Sequence, residues 1–144
     1  MLDLIHKSLI LLGLMAVSVC SYGQIHRTDQ IEVELVSETV NVVPGQTTWL
    51  AIRLDPIDHW HTYWKNPGDA GTEIKIEFQE AGNNISLTEL PWPKPKRYIE
   101  QGNLWAYGYS HKYSLFFKLP ESLKNKTLDI NSQWLVCKDI CIPG

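Results

Sequence analysis

Alternation of apolar and polar side chains constrains this chain more than any other feature. Glu73-Ile74-Lys75-Ile76-Glu77-Phe78 puts three apolar side chains on one side of an extended backbone and three charges on the other. That period of two fits a half-buried strand and no helix. Ile31, Val33 and Leu35 alternate with Glu32 and Glu34, and Leu50, Ile52 and Leu54 share a face within 48–54. Tyr113, Leu115, Phe117 and Leu119 share another. Weaker strands are predicted over 85–90 and from Leu128 through Trp134 to Val136. Val43-Pro44-Gly45-Gln46 has Pro and Gly in the order a tight turn prefers. Gly82-Asn83-Asn84 and Pro91, Pro93 and Pro95 break the rest into short pieces, and no window holds a convincing amphipathic helix. Several short strands separated by turns predict an all-β, immunoglobulin-like β-sandwich.

The first 23 residues read as a secretory signal peptide. His6 and Lys7 form a polar start, Ser8 to Cys20 a mostly apolar core, and Ser21-Tyr22-Gly23 supplies small residues before a cut at Gln24. The apolar run is shorter than the about 20 residues of a spanning helix. Val17-Ser18-Val19-Cys20 approaches a lipoprotein site, but the bulky Val19 disfavours lipidation, so Cys20 is expected to leave with the signal. Residues 24–144, about 120 in number, then form one domain. Formal net charge is −3 with both signs mixed, which gives no nucleic-acid surface. All six tryptophans lie in this part. Export would place it where disulfides persist.

Two cysteines remain, Cys137 and Cys141, spaced Cys-Lys-Asp-Ile-Cys. Fully extended, that segment would hold its ends about 13 Å apart, and a disulfide needs them within about 7 Å. The chain must therefore turn back for the bond to form. A five-residue ring stabilises a fold by only about 2 kcal/mol, whereas small strand-end rings can be accessible and labile. Spacing alone leaves a structural staple and an exchange pair both open. The chain stops at Gly144, just after the pair. Without a returning strand, Val136 and its neighbours would form an exposed edge, so the domain reads as truncated at its C-terminal end.

A metal site is the competing use of the same residues. Cys137 and Cys141 could join His59, His61 or His111 around copper or zinc. A strand through His59-Trp60-His61 would put both imidazoles on one face.

Trp134-Leu135-Val136-Cys137-Lys138-Asp139-Ile140-Cys141-Ile142-Pro143-Gly144 resembles the cysteine segment of the N-terminal periplasmic domain of DsbD-type thiol:disulfide interchange proteins. The branch linked to suppression of copper sensitivity is the most similar. His59 to Gly71 (His-Trp-His-Thr-Tyr-Trp-Lys-Asn-Pro-Gly-Asp-Ala-Gly) is a second matching block, and Pro91-Trp92-Pro93 and Tyr107-Gly108-Tyr109 are shorter ones. The resemblance covers residues 31–144.

It implies an immunoglobulin-like fold, a periplasmic location, and a longer native protein that tethers the domain to the inner membrane. It implies protein-disulfide reductase chemistry with no cofactor and no resident metal. Electrons would come from the thioredoxin-like domain of a membrane thiol:disulfide reductase. They would pass to periplasmic thioredoxin-fold isomerases or cytochrome-maturation proteins. Cys141 would engage partners and Cys137 would resolve the mixed disulfide. An aromatic loop caps the cysteines in the family; here Trp105 or Tyr107 would cover the sulfurs, with Gly108 permitting the bend. His61 and Tyr63 would line the site. His61 stands where some relatives carry tyrosine, and Tyr109 reads as core.

Overall fold

The computed structural model describes residues 22–144. The expected signal peptide and Cys20 lie outside the described residues, except that Tyr22 and Gly23 begin the first strand. Among the described residues no helix is long and apolar enough to cross a membrane.

Among the described residues thirteen strands follow one another. They are β1 (Tyr22–Arg27), β2 (Ile31–Ser37), β3 (Thr48–Pro56), β4 (His61–Gly68), β5 (Lys75–Glu80), β6 (Asn83–Ile85) and β7 (Thr88–Glu89). Then come β8 (Lys96–Ile99), β9 (Trp105–Tyr109), β10 (Tyr113–Leu119), β11 (Leu128–Gln133), β12 (Leu135–Cys137) and β13 (Cys141–Pro143). Short 3-10 turns lie at Gln101–Asn103 and Glu121–Leu123. One sheet has the order β1-β2-β3-β10-β7, a second β13-β12-β4-β9-β8, and a three-stranded sheet runs β11-β5-β6. The architecture is the all-β, immunoglobulin-like sandwich expected from the alternation.

The alternating residues form the core. Ile31 and Val33 of β2, Leu50, Ile52 and Leu54 of β3, and Tyr113, Leu115 and Phe117 of β10 are buried together with Phe78, Tyr109, Trp134 and Val136. Their removal from water supplies most of the folding drive, on the order of 2 kcal/mol for each large side chain. Tyr109 stacks on Tyr113 with centroids 4.0 Å apart, as its core reading anticipates. Thr62 Oγ1 meets the Tyr113 hydroxyl at 2.9 Å, satisfying two polar atoms inside the sandwich.

Two strand predictions are corrected. The stretch 85–90 is split: β6 pairs with β5, whereas β7 pairs with β10 in another sheet. The stretch 128–136 is likewise split at Trp134, with β11 on β5 and β12 on β4. A buried Trp134 side chain marks the crossing between sheets. The exposed edge expected beside Val136 is also corrected. Val136 pairs with Thr62 on one side and Ile142 on the other, because three residues after the second cysteine suffice for a returning strand. Backbone bonds between Trp134 and Gly144 in both directions, at 2.9 and 3.0 Å, close that hairpin.

Candidate redox site

Register decides what the second sheet presents on each face. Cys141 pairs with Cys137, Cys137 with His61, Tyr63 with Gly108, and Ala106 with Tyr98. Side chains alternate along each strand, so these residues share one face. Val136, Thr62 and Tyr109 point the other way, into the main core. The site face has its own small apolar cluster, made of Tyr63, Ala106 and Cys137 with Tyr98 and Leu135 packed against it.

Cys137 and Cys141 form a disulfide, with α-carbons 4.1 Å apart across the β12–β13 hairpin. The turn between them is tight: the Lys138 amide donates to the Ile140 carbonyl at 3.0 Å. Cys137 is 1% exposed, held between its two neighbouring strands. Cys141, on the edge strand, is exposed. The two sulfurs thus differ in access although they are bonded to one another.

Tyr63 reaches this pair, and His61 lies opposite Cys137 in the strand register. The Tyr63 hydroxyl lies 3.9 Å from Sγ of Cys141 and donates to Oε1 of Glu100 at 3.3 Å. His61 Nε2 contacts the same Oε1 at 2.7 Å. The imidazole stacks on Tyr98, with centroids 4.7 Å apart and planes 11° apart, and meets Tyr63 edge-on at 5.2 Å. Burial first, then the charge of Glu100 and its hydrogen bond, push the Tyr63 hydroxyl well above the ordinary tyrosine range. It therefore remains a proton-bearing donor. The Tyr98 hydroxyl is buried without a hydrogen-bond partner.

Gly108 has a role other than the bend expected of it. Its backbone shows no left-handed φ. A β-carbon there would overlap the Thr62 carbonyl, so glycine permits β4 and β9 to approach where their register shifts between Tyr63 and Gly68. Gly71 does require left-handed backbone, with φ of 84°, and a β-carbon there would strike the Tyr63 ring. The bare glycine lets that ring pack.

Trp105 and Tyr107 are not brought onto the sulfur-bearing face. They alternate with Ala106 and Gly108, so strand geometry turns them to the opposite side, where both are exposed. The Arg97 guanidinium lies 4.1 Å from the centroid of Trp105. What the β8–β9 hairpin contributes is Glu100, one residue beyond β8, whose carboxylate meets Tyr63 and His61 and whose amide donates to the Leu104 carbonyl. Glu100 and Tyr98 are the residues that the sequence reading missed. The signal was present: Lys96, Tyr98 and Glu100 alternate ahead of Gly102.

The histidine pairing proposed for a metal is also corrected. His59 has φ of 71° and sits in a turn in which the Trp60 amide donates to the Ile57 carbonyl. Only His61 enters the strand, and its Nε2 is engaged by Glu100. His111 is exposed in the turn after β9. Among the described residues no group of three potential ligands converges.

No curated protein matches the chain. A similar solved structure is the N-terminal periplasmic domain of ScsB from Proteus mirabilis, at 17% identity and a TM-score of 0.66, covering 88% of this chain and 47% of that one. The chain thus spans about half the length of that structure, and the likeness speaks to the fold. The family described as thiol:disulfide interchange protein DsbD, N-terminal, matches residues 30–144. By that match over most of its length, the chain belongs to the family of N-terminal domains of DsbD thiol:disulfide interchange proteins.

Proposed function

We propose that this domain is a periplasmic electron relay, exported by a signal peptide, with Cys137 and Cys141 as its catalytic pair. The observation that carries the reading is their asymmetry: Cys141 is exposed on an edge strand, while Cys137 is buried beside it. In the reduced domain, the Cys141 thiolate attacks a partner disulfide and forms a mixed disulfide, and the partner's second sulfur leaves as a thiolate. Cys137 then attacks Cys141, restoring the intramolecular bond and releasing the partner with both sulfurs reduced. Two electrons pass to the partner in each cycle. Membership of the DsbD family supports the exchange chemistry.

Oxidised domain is then re-reduced by the thioredoxin-like domain of a membrane thiol:disulfide reductase. The acceptors are exported thioredoxin-fold isomerases and cytochrome-maturation proteins.

The test uses single-cysteine variants and an oxidised thioredoxin-fold isomerase. Cys137→Ser is expected to trap a mixed disulfide through Cys141, and Cys141→Ser to trap none. Equal trapping by both variants, or by neither, would refute the assignment.

A further inference from the structure

The Tyr63 hydroxyl has one proton and stands between two acceptors. Its oxygen lies 3.3 Å from Oε1 of Glu100 and 3.9 Å from Sγ of Cys141. His61 contacts the same carboxylate oxygen at 2.7 Å, so the imidazole and the phenol share one acceptor. The side chains of His61 and Glu100 are 10% and 17% exposed, which leaves their charges weakly screened by salt. The groups facing the imidazole are Glu100 and Tyr98 from the β8–β9 hairpin, Tyr63 from its own strand, and Cys137 from β12. Cys141 joins the set through Tyr63.

We propose that His61 and Glu100 are positioning residues that control the Cys141 thiolate through Tyr63, according to the charge on His61. The proposal rests on the reading of Cys141 as the attacking cysteine. In the reduced protein, Cys141 ionises by losing its proton to solvent. With His61 neutral, the Glu100 carboxylate holds the Tyr63 O–H and repels a thiolate, and both effects favour the thiol. A proton on His61 neutralises Glu100 and frees the Tyr63 hydroxyl to turn its O–H toward the sulfur. Tyr63 gives up no proton; it only changes acceptor. The thiolate so stabilised then attacks the partner disulfide as described above. Protonation of His61 therefore raises the attacking power of Cys141 through this chain of contacts.

The test is the rate of Cys141 alkylation by iodoacetamide in the reduced protein, measured from pH 5 to 9 and assigned by peptide mass. A lone thiol gives a rate that rises tenfold per pH unit below its own titration. The wild-type protein is expected to show two such arms, displaced from one another by about fivefold where His61 changes charge. His61→Gln is expected to follow the alkaline arm throughout, and so to be about fivefold slower than wild type at pH 5 and equal to it at pH 8. Glu100→Gln is expected to be faster than wild type at pH 8. A merely structural role would shift the rate in one direction at every pH. A wild-type profile with a single arm that overlies His61→Gln would overturn the relay, and that outcome needs no variant to be informative. Trapping by Cys137→Ser tests exchange separately, so loss of the relay and loss of the exchange reading are distinguishable.

Discussion

Cys137 and Cys141 stand opposite one another across a hairpin with α-carbons 4.1 Å apart, yet one is sealed between strands and the other faces solvent. A bond whose purpose was to hold the sandwich together would join distant parts of the chain. This one closes a ring of five residues that backbone hydrogen bonds already define.

Reduction should therefore cost little stability. Chain-entropy arithmetic for so short a loop gives about 2 kcal/mol. Urea unfolding of the oxidised and reduced domain should show that small difference, with the reduced form still folded. A reduced domain that is unfolded in buffer would contradict the account.

Gly108→Ala should destabilise the domain by about 1–3 kcal/mol, the usual cost of overpacking. The added methyl group would collide with the Thr62 carbonyl and force β9 away from β4. Because Tyr63 pairs with Gly108, alkylation of reduced Cys141 should change as well. Unchanged urea midpoint and unchanged alkylation would show that the close approach is not needed.

Alkaline pH should unfold the domain steeply. Burial is the leading cause that holds the hydroxyls of Tyr63, Tyr109 and Tyr113 above their ordinary range. A group whose folded value is raised contributes stability that is fully present below its unfolded value, about 10 for tyrosine, and is lost as pH rises beyond it. Stability should be flat in these groups below about pH 10 and then fall, with phenolate absorbance appearing together with loss of folded signal. Phenolate formation by Tyr63, Tyr109 and Tyr113 while the fold persists would contradict the burial described here.

The sandwich was legible because its core strands are half-buried, and half-burial writes alternation into sequence. Residues 73–78, 48–54 and 113–119 were read in that way. Strands of the site sheet were less visible for a physical reason. In β4, His61, Thr62 and Tyr63 are all buried because both faces are covered, so the pattern carries no alternation. Spacing showed only that the chain turns back between Cys137 and Cys141; the exchange reading, and the places of His61 and Tyr63 beside the pair, came from family resemblance. Glu100 was missed because its partners lie 37 and 39 residues away in sequence and meet it only through sheet register. Trp105 and Tyr107 were assigned to the sulfurs by family resemblance, whereas the strand's alternation turns them to the other face.

The measurement that tests the central claim most directly is the reduction potential of the Cys137–Cys141 pair, by thiol trapping across a series of redox buffers. The account predicts a value among exchange proteins, roughly −120 to −270 mV. A value below about −300 mV would mark a structural bond and contradict it.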